Sequence, residues 1–138
     1  GQDDCSEEQV INCLKAAGAD FMGDGTGGEL DFFIQDQGSN LSGGQKQAVM
    51  MARALAFNPE VYLFDEPTSA MDGLTEAQVI NHLTSHLAGK TLLIVTHKMP
   101  VVDMCDRVLV MDEGKIVGDG SKESYFEILK KRSEQRQN

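Results

Sequence analysis

Hydrophobic positions along the chain alternate between helical spacing and short unbroken runs. Residues three or four apart share one face of a helix, whereas an unbroken run of strand length is typical of a parallel strand buried on both faces. The predicted helices cover about residues 10–17, 42–57, 74–87, 100–105 and a segment after Ser121, and the predicted strands cover residues 61–64, 91–95, 107–111 and 116–117. Alternating helices and buried strands predict an α/β fold with a mainly parallel sheet.

The same spacing predicts which side chains of the two longer helices face the core. In the helix that starts near residue 42, the predicted inward residues are Val49, Ala52, Leu55 and Ala56, with Met50 and Met51 filling beside them. In the helix over 74–87, they are Ala77, Ile80 and Leu83. Residues 3–8 predict a helix start capped by Asp or Ser, and residues 112–115 predict a hairpin turn.

Composition excludes several classes of protein. A chain of 138 residues with 41% hydrophobic content predicts one folded domain with a real core. Twelve basic against 22 acidic residues give a net charge of −10, so nucleic acid is not an expected partner. The three cysteines include no C-x-x-C pair, which favours free thiols in a reducing compartment over a disulfide framework or a zinc site. No hydrophobic run approaches membrane-spanning length, so any work at a membrane would need a partner or further chain.

The stretch Leu41–Gln45 opens the second long helix with a serine and two glycines. The first N–H groups of a helix have no partner within it, and its dipole is positive at that end. Glycine lets an anion approach the backbone, and Ser42 adds a hydroxyl donor, so Ser42, Gly43 and Gly44 suit phosphate oxygens. A helix cap with a flexible glycine pair explains the same residues, and the stretch alone leaves both interpretations open.

Two adjacent carboxylates, Asp65 and Glu66, follow a predicted buried strand, where open α/β sheets bind ligands. Neighbouring strand residues point in opposite directions, so the two carboxylates cannot share one role. One would hold Mg²⁺, through water, and the other would accept a proton from an attacking water. The alternative is an acidic strand end before the turn at Pro67.

His97 ends the next predicted strand, so we expect it at the same sheet edge as Asp65 and Glu66, where it can contact a terminal phosphate. A purely structural histidine is the alternative. His82 and His86 are four residues apart on a helix, and without a third ligand they are interpreted as helix surface.

A phosphate-binding P-loop is not found in these residues. The pattern G-x-x-x-x-G-K-[ST] appears nowhere, and Gly89-Lys90-Thr91 has Thr84 where that pattern requires glycine.

Together these motifs resemble ABC transporter ATP-binding domains, in that family's order. Residues 41–45 resemble the signature motif, residues 61–66 the Walker B strand with its catalytic glutamate, residues 69–72 the D-loop, and His97 the switch histidine. The flanks are similar too: residues 3–40 resemble the family's helical subdomain and 106–129 its C-terminal strands and helix. Residues 36–45 and 67–72 look most like exporters, particularly bacterial type I secretion ATPases.

The resemblance implies a head-to-tail dimer in which each ATP lies between two domains. Ser42, Gly43, Gly44 and Gln45 would then face the γ-phosphate of the ATP bound by the partner domain. Asp65 would serve Mg²⁺, Glu66 would polarise the water, His97 would contact the γ-phosphate, and Asp72 would couple the two sites. The implied partners are a second ATPase domain and the transmembrane domains of a transporter, with the ATPase on the cytoplasmic face of the membrane.

The family's P-loop, its adenine-stacking aromatic residue and its Q-loop glutamine would all precede residue 1. The fold expected is therefore a partial P-loop NTPase core with a helical signature subdomain. Residues 1–57 would form that subdomain, and residues 58–138 would carry the Walker B strand, D-loop, switch histidine and C-terminal elements. We expect these residues alone to be soluble and inactive. Alternatives are a soluble ABC ATPase, an importer ATPase subunit, or a non-catalytic dimerising fragment.

Overall fold

A computed structural model describes residues 5–22, 30, 32–125 and 127. The chain forms two compact units, of which the first ends at Thr96 and the second begins at His97. The predicted functional division at residue 57 stays a prediction.

The first unit combines three helices with a parallel pair of strands. Helices α1, α2 and α3 span Glu7–Ala16, Gly43–Ala56 and Gly73–His86, and short 3₁₀ turns cover Asp20–Met22 and Asp36–Gly38. Strands β1 (Val61–Asp65) and β2 (Thr91–Val95) pair in parallel, in register from Val61 opposite Thr91 to Asp65 opposite Val95. The α/β class and the parallel pairing of these strands are as predicted.

Helix α1 begins where the sequence predicts a cap. The Ser6 hydroxyl accepts a hydrogen bond from the Gln9 N–H, and the Gln9 side chain accepts one from the Ser6 N–H, which forms a capping box. At its other end the chain turns through Gly18, which has φ +73°. A Cβ added at Gly18 would lie 2.6 Å from Val79 Cγ2, so only glycine allows α1 to end this close to α3.

The buried stripes of α2 and α3 differ from the predicted ones. Ala52, Leu55 and Met51 are buried as predicted, but Met50 is exposed, because it lies two positions from buried Ala48 and so faces the opposite side of the helix. In α3, Leu83 is buried but Ala77 is exposed, and the remaining buried side chains are those of Glu76 and Val79.

The prediction that β1 is buried on both faces is wrong. Tyr62 and Phe64 are buried, whereas Val61 and Leu63, on the other face, are 60% and 71% exposed. Leu93 and Val95 of β2 lie on that same face and are 52% and 57% exposed. Side chains of a strand alternate between two faces, and the described residues cover only the face that bears Tyr62 and Phe64. We call Val61, Leu63, Leu93 and Val95 the open sheet face.

The second unit contains a short helix and a hairpin. Helix α4 spans Met99–Val102, shorter than the predicted 100–105, and strands β3 (Arg107–Asp112) and β4 (Lys115–Ser121) pair antiparallel. Glu113 and Gly114 connect them with φ +47° and +75°, as a two-residue hairpin turn of type I′ requires, so the predicted hairpin is confirmed.

Strand β4 is longer than predicted and ends at Ser121, which lies directly before the next helical residues, as expected for the predicted cap. Residues 122–125 are helical, as predicted, while Phe126, Ile128 and Leu129 lie outside the described residues. No helix in the described part of the chain is long and hydrophobic enough to cross a membrane.

Candidate functional site

The start of α2 and the turn that follows β1 lie against each other. Residues 66–71 form this turn, which we call the 66–71 turn. A Cβ added at Gly44 would lie 2.7 Å from the Ala70 carbonyl oxygen, and one at Gly43 would lie 3.7 Å from Ala70 Cβ. Gly44 is therefore required by packing as well as suited to an anion, which the sequence alone did not show.

Residues 42–45 form a complete cap at the start of α2. The Ser42 hydroxyl accepts a hydrogen bond from the Gln45 N–H at 3.2 Å, and Gln45 Oε1 accepts one from the Ser42 N–H at 2.9 Å. The N–H groups of Gly43 and Gly44 occupy the first two helical positions and have no acceptor within the helix. Both interpretations of this stretch are thus compatible: the side chains cap the helix, and the glycine N–H groups suit a phosphate.

Glu66 is held in an unusual backbone conformation. Its φ is +45°, in the left-handed region that non-glycine residues seldom adopt. Its N–H donates to the Val95 carbonyl of β2 at 2.8 Å, and its carboxylate Oε2 accepts a hydrogen bond from the Thr96 hydroxyl at 3.3 Å. The carboxylate at the end of β1 therefore has a defined position, which is what a general base needs.

Asp65 precedes Glu66 at the end of β1 and is exposed. No group of three or more His, Cys, Asp or Glu side chains among the described residues is arranged to hold a metal ion. Asp65 would thus supply one carboxylate to a cation that keeps most of its other ligands as water or phosphate oxygens. Mg²⁺ in phosphate-binding sites is coordinated in this way, so the donor set fits it.

Sequence reasoning missed Gln47. Its side chain lies between α2 and the 66–71 turn and donates to the Glu66 carbonyl at 2.8 Å and to Ser69 Oγ at 3.1 Å. Its Oε1 accepts from the Ala70 N–H at 3.1 Å. The one signal in the sequence was that Gln47 is polar and follows Gly43 and Gly44 by four and three positions. It therefore lies on the same side of α2 as these glycines.

Asp72 caps α3. Its Oδ1 accepts hydrogen bonds from the N–H groups of Leu74 and Thr75, both at 3.0 Å, and its Oδ2 accepts one from the Thr75 hydroxyl at 2.8 Å. The Thr75 N–H, followed by the Thr75 hydroxyl, lowers the pKa of the Asp72 carboxyl below its ordinary value. An Asp two residues before the predicted helix was a readable cap signal, whereas the coupling role stays a prediction.

A buried pair of polar residues fixes the 66–71 turn to α3. Thr68 is 1% exposed and its hydroxyl donates to the carboxylate of Glu76, which is 8% exposed. A buried carboxylate is costly unless it is hydrogen-bonded, so this contact constrains the turn strongly. The turn is therefore held on one side by Gln47 of α2 and on the other by Glu76 of α3.

The histidines differ in their surroundings. His97 is exposed and is the first residue of the second unit, so its expected proximity to Asp65 and Glu66 stays a prediction. His82 Nδ1 lies 3.2 Å from the Lys15 carbonyl oxygen and so joins α3 to the end of α1, a structural role beyond the predicted helix surface. His86 is exposed, as predicted.

Comparison with known proteins gives a consistent set of relatives. The sequence model of the ABC transporter family matches residues 6–69. The alpha-hemolysin translocation ATP-binding protein HlyB of Escherichia coli is 40% identical over 116 residues, which cover 83% of this chain and 16% of that protein. ABC transporter B family member 15 of Arabidopsis thaliana is 40% identical over 125 residues, covering 90% of this chain and 10% of that protein.

A solved structure of a bacterial Atm1-family ABC exporter with ATP bound has a similar fold. It superposes with a TM-score of 0.80 at 31% sequence identity, over 95% of this chain and 24% of the exporter chain. The chain thus spans about a sixth or less of the length of HlyB and of the Arabidopsis transporter.

Proposed function

This chain belongs to the ABC transporter family and is similar to exporters and type I secretion ATPases of that family, and from that premise we propose that it is part of an ATP-hydrolysing nucleotide-binding domain that powers export across a membrane. The observation that carries the proposal is the position of Glu66. Hydrogen bonds from its own backbone N–H and to its carboxylate fix that side chain at the end of β1.

In this proposal Glu66 accepts a proton from the water that attacks the terminal phosphorus of ATP. The bond from that phosphorus to the bridging oxygen breaks, and ADP and phosphate leave. Asp65 is the residue of this chain that would hold Mg²⁺, which would neutralise charge on the phosphate oxygens. His97 would hydrogen-bond the terminal phosphate.

Ser42, Gly43, Gly44 and Gln45 would serve a second ATP, bound by a partner ATPase domain in a head-to-tail dimer. The free N–H groups of Gly43 and Gly44, at the positive end of α2, support this role. Asp72 would couple the two sites, since it lies between the 66–71 turn and α3. The further partners would be the transmembrane domains of the transporter, with the ATPase on the cytoplasmic side.

The 138 residues alone are proposed to be inactive. Micromolar affinity for ATP requires about 8 kcal/mol, whereas a helix N-terminus contributes at most about 2 kcal/mol toward an anion. The sequence contains no P-loop pattern that would supply the remainder.

The test is Glu66→Gln in the full-length protein that carries this chain. Removal of the base is expected to lower kcat for ATP hydrolysis by about 10² to 10⁴, while ATP binding is retained because the amide keeps the shape of the side chain. Hydrolysis is measured by phosphate release and binding by equilibrium titration.

The matched control is Glu8→Gln, which changes an exposed glutamate in the first turn of α1 and is expected to leave kcat unchanged. A Glu66→Gln protein that hydrolyses ATP at the wild-type rate would refute the proposed function.

A further inference from the structure

The side-chain amide of Gln47 connects α2 with the residue proposed to be the general base. Both of its N–H hydrogens have acceptors, at the Glu66 carbonyl and at Ser69 Oγ, and its oxygen accepts from the Ala70 N–H. These contacts join residues 19 to 23 positions apart in sequence. They therefore arise from the packing of α2 on the 66–71 turn and not from local chain geometry.

The orientation of this amide is fixed by its partners. If oxygen and nitrogen exchanged places, the Gln47 oxygen would face the Glu66 carbonyl, and its NH₂ group would face the Ala70 N–H. Both contacts would then be repulsive, because one would place two acceptors face to face and the other two donors. Gln47 accordingly holds the start of α2 and the 66–71 turn in one relative position, which the contact of Gly44 with the Ala70 carbonyl reinforces.

The Glu66 carbonyl is the point at which this link acts on the proposed base. It accepts from Gln47 Nε2 and also from the Ser69 N–H, at 3.1 Å, so both lone pairs of the carbonyl oxygen are used. Left-handed backbone at a glutamate is strained and persists only where the surroundings impose it. Because the direction of the side chain depends on the backbone angles at Glu66, the bond from Gln47 helps to set where the carboxylate points.

We propose that Gln47 is a positioning residue for Glu66, and that it transmits the position of the helix bearing residues 42–45 to the carboxylate that activates water. This inference rests on the proposed function, since it assigns Gln47 a role in the hydrolytic step. Residues 42–45 would contact the ATP bound by the partner domain, and Glu66 would act on the ATP bound by its own chain. Gln47 would therefore link the two half-sites of one chain.

The experiment replaces Gln47 with methionine in the full-length protein and measures kcat and KM for ATP together with the melting temperature. Methionine has similar length and volume but removes all three hydrogen bonds. We expect kcat to fall about tenfold, the equivalent of one net hydrogen bond, with KM within about twofold of wild type. A smaller folded fraction also lowers the apparent kcat without changing KM, but only as far as folded protein is lost. The value of kcat is therefore expressed per folded protein, with the folded fraction taken from the thermal unfolding curve.

Gln78→Met is the matched control, since Gln78 is an exposed glutamine of α3, and it is expected to leave kcat and KM unchanged. If Gln47→Met does not fold, Gln47→Glu is measured instead. It keeps the acceptor for the Ala70 N–H but turns an oxygen toward the Glu66 carbonyl, so kcat is expected to fall at least as far.

Wild-type kcat in a folded Gln47 variant, or a decrease that matches only the loss of folded protein, would overturn the inference. Parallel measurement of Glu66→Gln separates this outcome from failure of the proposed function. If Glu66→Gln abolishes hydrolysis while the Gln47 variants keep the wild-type kcat, then only the role of Gln47 is rejected.

Discussion

At the level of single residues, the site residues that the sequence indicates also hold the local fold together. Ser42 and Gln45 cap α2, Asp72 caps α3, and Gly44 makes room for the Ala70 carbonyl. A substitution at any of these positions will therefore change stability as well as any nucleotide chemistry. Asp72 offers a way to separate the two effects, because asparagine removes the charge while it keeps an oxygen that can accept from the N–H groups of Leu74 and Thr75.

Asp72→Asn is expected to destabilise the protein at neutral pH but not in acid. The pKa of the Asp72 carboxyl is lower in the folded than in the unfolded protein, so its charge adds stability above its ordinary pKa of about 4. That contribution is lost as the pH falls from about 4 through the folded pKa. The melting temperatures of wild type and Asp72→Asn should thus converge on acidification.

Asp72→Ala is the comparison for this measurement, because alanine removes the cap itself and should lower the melting temperature across the whole pH range. A difference between wild type and Asp72→Asn that stays constant or grows toward low pH would contradict the assignment.

At the level of elements, the close approach of α1 and α3 defines the helical part of the first unit. The chain leaves α1 through Gly18, in left-handed conformation, directly against Val79 of α3. The His82 ring and the Lys15 carbonyl make a second contact between the same two helices. This junction is sensitive to the addition of a single methyl group, because closely packed interiors cannot yield without strain.

Gly18→Ala is expected to lower the free energy of unfolding by about 2–5 kcal/mol. About 1–2 kcal/mol comes from left-handed backbone at a non-glycine residue, and about 1–3 kcal/mol from the clash with Val79. Denaturant unfolding measures the change.

Gly89→Ala serves as the control, because Gly89 also has positive φ, +80°, but a Cβ there would meet nothing within 4 Å. Gly89→Ala should lose only the free energy that is due to the left-handed backbone. Equal losses of unfolding free energy in the two variants would therefore show that the contact with Val79 is unimportant.

The bounds of α2, α3 and the two parallel strands could be predicted closely from the sequence, but those of α4 and β4, and the buried faces of the helices, less well. A cap such as Ser6 depends on local chemistry and marks a helix end directly. Which side of α2 is buried depends on what packs against it, so Met50 was placed inside although it faces out. Gln47 was missed for the same reason, since its three partners lie in a turn that only tertiary packing brings to α2.

At the level of the whole molecule, the open sheet face leaves four hydrophobic side chains exposed on two paired strands. Val61, Leu63, Leu93 and Val95 are all more than half exposed and adjoin one another through the register of β1 and β2. Contiguous exposed apolar surface favours association in water. A net charge of −10 opposes it through repulsion between copies of the chain.

We expect the 138-residue chain to self-associate as its concentration rises, and Leu63→Lys to reduce that association by placing a charge in the open sheet face. Light scattering over a concentration series measures the average mass. Leu74→Lys is the control, because Leu74 is similarly exposed on α3, away from that face, and the substitution changes net charge equally. A clean monomer at high concentration in the wild type would contradict the prediction.

At Glu66, the left-handed backbone lowers the stability of the fold, whereas the proposed catalytic role requires the glutamate side chain. Glycine or asparagine adopts φ +45° more readily than glutamate, so a chain selected for stability alone would carry one of them there. Evolutionary or laboratory selection for heat resistance, applied without selection for turnover, should therefore drift toward replacing this glutamate. A glutamate at so strained a position is consistent with the proposed role of its carboxylate as general base.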